Sequence, residues 1–304
     1  VHRFIESPLG RVLYLSLVEK LKIGTLDSEF TILRARAIAD VADTSVDQFC
    51  EEAGITESLD DSFAEELRTA LEEHAETKAA FERVHAEWND TFWGETEVTL
   101  DERTTLEREH REAGEAWIAP QKTFGFVAKA NLLEMVGFDI PDPETALSEW
   151  ENRDAADVYG LPSSLPDVEH SATMHGPGTR EYLVRFPSPS QFVDDTAYAR
   201  VYEPFDADRD ADLSTLVYGT GLAIACDLIG YWPEEEYVGR ALAQRGYRVV
   251  LPISPWHGRR EISGAYTGEP YLARMPISAI ELYATQSAET AVLTDWARSI
   301  GAPT

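Results

Sequence analysis

Tyr247-Arg-Val-Val-Leu-Pro-Ile-Ser-Pro-Trp-His-Gly-Arg-Arg260 is the stretch whose reading decides the fold. Its first five residues are an apolar run of strand character, and Pro252 stops the run by removing a ladder donor. Outward on the N-terminal side, residues 234–245 have helical character and Gly246 closes them as a C-cap. Before that helix, Leu213-Ser-Thr-Leu-Val-Tyr218 is a short strand running into the turn Tyr218-Gly-Thr-Gly221. Earlier still, Glu181-Tyr-Leu-Val-Arg-Phe186 and Thr196-Ala-Tyr-Ala-Arg-Val-Tyr202 alternate as strands do, separated by Pro187-Ser-Pro189. Outward on the C-terminal side, Gly264-Ala-Tyr-Thr-Gly-Glu269 precedes a helix over 276–300, with Gly301 and Pro303 after it. The order β-β-β-α-β-α predicts an α/β sheet that becomes parallel and wound, and mostly parallel overall.

The first 140 residues carry the helical period instead. Val12, Leu13, Leu17 and Leu21, then Leu33, Ala37 and Val41, recur at three and four. From 58 to 93 a loosely apolar stripe runs through Phe63, Leu67, Leu71, Lys78, Phe81, Val84, Trp88 and Phe92. Gly94 breaks it, and Thr99 with Glu102 reads as a capping box that starts a second helix toward Trp117. Two helices with a short break predict an antiparallel hairpin, with Trp88, Trp93 and Trp117 as its apolar anchors. Pro141, Pro143, Pro162, Pro166 and Pro177 then argue against a long regular element. The expected organisation is a helical domain over 1–140, a Pro/Gly-rich linker over 141–178, and an α/β domain over 179–304.

Charge separates these regions. The 304 residues carry 26 basic and 55 acidic side chains, a net of −29. Residues 51–115 hold 21 acids and six bases, a net of −15, whereas 246–304 hold five of each. The hairpin is therefore expected to be either a solvated arm or a cap, and the C-terminal stretch the inside of a fold. A field of this sign repels phosphate backbones and anionic lipid, so neither nucleic acid nor a membrane is an expected partner. Only five of the bases are lysines (Lys20, Lys22, Lys78, Lys122, Lys129). An acid-rich, lysine-poor surface suits a halophilic cytoplasm, where the Debye length at molar salt is about 3 Å and self-repulsion is screened.

The glycine turn 218–221 and the 251–260 loop, taken together, resemble the α/β-hydrolase superfamily. The resemblance is to esterase-like members with a strand ending in Pro-x-x-Pro-x-His-Gly-x-Arg, and it covers residues 180–304. It implies that Gly219, Thr220 and Gly221 form the loop supplying an oxyanion-hole N–H, with Tyr218 standing where a histidine is common. His257, Gly258 and Arg259 would then be a loop close to the active site, His257 shaping that loop rather than acting in catalysis. The family nucleophile lies in Gly-x-Ser-x-Gly on the strand after the last helix here, and no such motif occurs in these residues; Ser254 and Ser263 have the wrong flanks. The acid and catalytic histidine also belong further on. The chain thus reads as a fragment of a serine hydrolase for an acyl substrate, cut before the nucleophile, inactive alone, and open to self-association through an exposed sheet edge.

The resemblance implies no cofactor. Glu82-x-x-His85 and Glu107-x-x-His110 each put two ligand types on one helical face, as di-iron bundles do, but on consecutive helices in a glutamate-dense stretch where coincidence accounts for them. His170 and His175 read as exposed loop residues. Cys50 and Cys226 are too few for a disulfide framework and read as buried thiols. The least polar stretch, 216–232, is broken by glycines and Asp227 and falls short of the ~20 apolar residues of a membrane span. The alternative to the hydrolase is a non-enzymatic helical binding or scaffold protein with a degenerate α/β module.

Overall fold

The computed structural model describes residues 26–94, 98–118, 123–207, 213–219 and 233–300, with backbone only for 233–237. The chain divides into two compact units: Val1–Glu82, Ala113–Gly137 and Ser263–Tyr266 form one, and Arg83–Glu112, Phe138–Ile262 and Thr267–Thr304 form the other. The 1–140, 141–178 and 179–304 division read from the sequence is not the one these units follow. The far part of the acidic hairpin, 83–112, belongs with the sheet.

The helices of the first unit are α1 (Leu26–Ala42), α2 (Val46–Ala53), the leading part of α3 (Asp61–Phe92), the end of α4 (Leu100–Ile118) and α5 (Gly125–Ala130). Ser45 caps α2 by accepting from the Gln48 N–H, and Gly54 ends it with φ 70°. Leu33 and Ala37, read at helical spacing, pack in a cluster with Tyr266, while Ile32, Ile38, Phe49, Leu67, Leu71 and Phe124 form a separate core. Asp40 sits at its border, where it accepts from His74 Nε2 at 2.8 Å and Trp117 Nε1 at 3.1 Å. Burial alone would raise the Asp40 pKa, but these hydrogen bonds and the Arg36 charge outweigh it and hold the carboxyl below its ordinary value. Trp117 also stacks on Phe81 at 4.8 Å, in the anchoring role read from the sequence. The first run of the helical period, Val12 to Leu21, lies outside the described residues.

The second unit contains α6 (Pro143–Trp150), α7 (Ala155–Val158), β1 (Glu169–His170), β2 (Met174–Gly176), β3 (Thr179–Pro187), β4 (Thr196–Pro204), β5 (Thr215–Val217), α8 (Pro233–Ala243), β6 (Arg248–Pro252), α9 (Glu269–Ala273) and α10 (Ile277–Ser299). The expected linker thus carries short helices and two strands, none longer than eight residues. The strand order is β1-β3-β4-β6-β5, with β2 also pairing with β3. The class is α/β, but the sheet is mostly antiparallel, against the expectation of a mostly parallel one. Among the described strand pairs only β5·β6 is parallel. The reason lies in the connections: residues 188–195 return the chain directly from β3 to β4, whereas β5 and β6 are joined by a crossover containing α8.

Period-2 alternation sorts the side chains onto two faces. Val184, Phe186, Ala197, Ala199, Val201 and Val250 take the Val292, Leu293, Trp296 and Ala297 side of α10. On the opposite face Tyr202, Val249 and Leu251 pack with Ala243 of α8, and Leu183 packs with Trp88, Phe92 and Leu106. The far part of the hairpin is therefore no free arm, because Trp88, Phe92 and Leu106 are spent on Leu183 of β3. Its capping box forms as read: Thr99 N–H donates to Glu102 Oε2 at 2.8 Å and Glu102 N–H to Thr99 Oγ1 at 3.3 Å. Among the described residues no helix is long and apolar enough to cross a membrane.

Helix α8 approaches the sheet through Gly239, where an added Cβ would come 2.6 Å from the ring of the fully buried Tyr202. At that distance the ring or the helix must shift. Gly239→Ala is expected to destabilise the chain by about 1–3 kcal/mol, read as a lower urea midpoint at unchanged m-value.

Candidate functional site

The parallel pair brings two turns side by side. Strand β5 continues by one residue, Tyr218 N–H donating to Val250 O at 2.9 Å, and then gives way to the exposed Gly219. Among the described residues nothing lies within 4 Å of a Cβ built on Gly219. Thr220 and Gly221, the other residues expected in the oxyanion loop, lie outside the described residues, as does Cys226. Beside this turn, at the carboxyl end of β6, the chain runs through Ile253-Ser-Pro-Trp-His-Gly258. Carboxyl ends of parallel strands are where open α/β sheets bind ligands.

The 253–260 loop is held from several directions. Ile253 N–H donates to Tyr198 O at 2.8 Å, and His257 N–H to Ser254 O at 3.1 Å. Trp256 adopts φ 65°, a left-handed conformation costing about 1–3 kcal/mol in a bulky residue. Gly268 N–H to Trp256 O at 2.9 Å and Gly258 N–H to Thr267 Oγ1 at 3.0 Å fix it there. The imidazole of His257 is buried. Its Nδ1 donates to Pro255 O at 2.8 Å, leaving a neutral ring whose Nε2 has no hydrogen bond. Burial foremost, with Arg260 nearby, pushes the His257 pKa below its ordinary value.

Arg260 clamps the loop to the rest of the unit. Its guanidinium donates to Ile253 O, to both carboxylate oxygens of Asp195 and to both of Glu289 on α10, all at 2.8–2.9 Å. Burial alone would lower the Arg260 pKa, and the two carboxylates more than reverse this. Glu289 also accepts from Ser188 Oγ at 2.6 Å, although burial still raises its pKa. Removing one member of such a buried set typically costs about 3–5 kcal/mol, because the remaining charge is stranded. The adjacent Arg259 takes the opposite course and lies over Trp88 at 4.4 Å and Tyr198 at 5.9 Å. A groove of about 540 Å³ opens there, lined by Tyr198, Trp256, Arg259 and Ile262 among others.

No family model matches the chain, and no curated protein or solved structure does. The chemistry must be argued from the residues. Ser254 Oγ accepts from Gln286 Nε2 at 2.9 Å and is not set against an imidazole. Asp195 and Glu289, 65 residues before and 29 after Arg260, carry no sequence signal that marks them as its partners.

Beneath Arg259 the two hairpin histidines meet. Asn89 Nδ2 donates to His85 Nε2 at 2.9 Å, so His85 Nδ1 carries the proton and donates to His110 Nε2 at 2.9 Å. Glu107 is committed elsewhere, accepting from Trp88 Nε1 at 2.6 Å, Arg111 Nε at 3.1 Å and Arg200 at 3.3 Å. Among the described residues no group of three or more His, Cys, Asp or Glu is placed to hold a metal ion. Burial first, then the charges of Arg259, His85, Arg111 and Arg200, drives the His110 pKa from 6.5 to about 2. Its pKa is depressed on folding, so stability is complete above the unfolded-state value and is lost as pH falls from about 6.5 toward 2. One proton taken up only by the unfolded chain gives about 1.4 kcal/mol per pH unit. Between pH 7 and pH 5 the native chain is expected to lose about 2 kcal/mol more than His110→Asn, measured by urea unfolding.

Proposed function

We propose that residues 179–304 are the leading portion of an α/β-hydrolase domain, and that the protein bearing them is a serine hydrolase acting on an ester or similar acyl carbon. The observation that carries this reading is the strand order β3-β4-β6-β5, with β4 antiparallel to its neighbours and β5 parallel to β6. In that superfamily the glycine-loop strand lies beside the strand ending in the His-Gly loop. Here the same adjacency supports assigning the Gly219-Thr220-Gly221 turn to oxyanion binding. His257, Gly258 and Arg259 then form the neighbouring wall, with Arg260 anchoring it.

In the proposed reaction the serine Oγ bonds to the acyl carbon while its proton passes to a histidine. The carbonyl oxygen becomes an oxyanion, and the proton leaves with the displaced alcohol. A backbone N–H in the oxyanion loop stabilises that step by about 3 kcal/mol. The serine is assigned to a Gly-x-Ser-x-Gly, which these 304 residues do not contain. Protein recovered from its native cells with an antibody to residues 83–112 is expected to react with a fluorophosphonate probe at a serine in that motif. The 304-residue chain is expected to remain unlabelled and to hydrolyse p-nitrophenyl acetate at the background rate. A native protein that resists the probe would favour the non-enzymatic scaffold. Activity of the short chain surviving Ser254→Ala with Ser263→Ala would mean the chemistry is misplaced.

We also propose that the acid-rich surface is suited to a salt-rich cytoplasm. Self-repulsion at a net charge of −29 is relieved as the Debye length shrinks. The thermal midpoint is expected to rise from low salt to molar KCl, and a flat or falling midpoint would end this reading.

A further inference from the structure

A cleft in the second unit lies at the other end of the sheet from the Gly219 and His257 turns. Its volume is about 760 Å³, within the range of small-molecule sites. It opens where β4 ends and β6 begins, on the face that also carries α10, whose terminus contributes Ile300. Alternation brings Arg180, Tyr182, Glu203 and Arg248 together there, since Arg180 is opposite Glu203 and Tyr182 opposite Val201 across β3·β4. Arg103 reaches the same cleft from α4, and His170 and His175 from β1 and β2.

The charges in this cleft do not balance. Three guanidinium groups face one carboxylate among its lining residues, leaving two positive charges in a chain of net −29. Glu203 is already saturated: it accepts from Arg180 at 2.9 Å, Tyr182 Oη at 3.0 Å and the buried Arg248 Nε at 2.6 Å. Each guanidinium has five N–H bonds, so most of those on Arg180 remain unspent. Arg103 donates one to Thr173 O at 2.7 Å, while its buried Nε–H has no hydrogen bond. His170 Nε2 accepts from Trp296 Nε1 at 3.2 Å, which leaves its proton on Nδ1 as a further donor. Burial foremost keeps the His170 pKa low and the ring neutral.

We propose that this cleft binds a small molecule carrying a doubly charged oxyanion, a phosphate monoester or a dicarboxylate, through Arg103, Arg180 and Arg248. Two uncompensated guanidinium charges match two negative charges, and an oxyanion is the acceptor that forked N–H donors bind best. Leu100 and Ile300 give the apolar remainder of such a molecule a surface to lie on. The site does not depend on the hydrolase reading, and its test involves no turnover.

The test is calorimetry on the whole chain in constant molar KCl, with inorganic phosphate, glucose 6-phosphate and succinate as separate probes. At least one is expected to bind with one-to-one stoichiometry. Tighter binding of glucose 6-phosphate than of phosphate identifies a phosphate ester, and binding of succinate alone identifies a dicarboxylate. Arg180→Gln is expected to weaken the binding about tenfold or more. Arg103→Gln, which lies on a helix and leaves the sheet intact, is expected to do the same. Arg245→Gln, exposed in the turn after α8, should change nothing. Absence of heat with all three probes, or equal losses in the Arg103 and Arg245 variants, would overturn the proposal.

Discussion

Strand β4 is paired along both edges and covered on both faces, and the second unit is arranged around that constraint. Antiparallel ladders to β3 and β6 take its backbone groups. Its alternate side chains then have to suit two different environments. Ala197, Ala199 and Val201 are small or branched and admit α10 closely. Tyr198, Arg200 and Tyr202 face the other way, toward the hairpin and α8. Arg200 on that face is buried and is paired to Glu107, with Glu181 at 3.8 Å. Arg240 from α8 binds the same Glu181 in a bidentate pair at 2.7 and 2.9 Å. Two arginines outweigh the burial that would otherwise raise the Glu181 pKa, and it lies below the ordinary value.

Buried charges of this kind contribute little net stability but discriminate strongly between arrangements. A register slip of one residue along β4 would turn Arg200 and Tyr202 toward α10 and take Arg200 away from Glu107 and Glu181. The same logic holds at the carboxyl end of β6, where Arg260 ties the 253–260 loop to Asp195 and Glu289. A strained Trp256 backbone persists there because the surrounding hydrogen bonds leave it no alternative.

The two ends of the sheet differ in kind. At the carboxyl ends of β5 and β6 there are an exposed turn and a clamped loop. At the opposite end, charged side chains surround a roomy cleft, which suits recognition of an anion. Both follow from strand direction, since residues 218–219 and 253–257 leave the sheet together while Glu203 and Arg248 meet where β4 ends and β6 starts.

Much of this was determined by the sequence alone. Period-2 alternation marked β3 and β4, the apolar run after Gly246 marked β6, and Thr99 with Glu102 marked the start of α4, because these signals are local. Net charge and the absence of Gly-x-Ser-x-Gly are likewise properties of the sequence. What the tertiary structure decided was everything that joins distant residues. The hairpin's 83–112 segment packs on β3, where its acidity left a solvated arm and a cap both open, since Trp88, Phe92 and Leu106 bury against Leu183. The sheet is mostly antiparallel because a short return joins β3 to β4, and periodicity carries no information about direction. Arg260 finds Asp195 and Glu289, and Arg103 joins Arg180 and Arg248, across separations that no spacing rule spans. Local chemistry wrote the elements into the sequence; only packing could decide which charges they bring together.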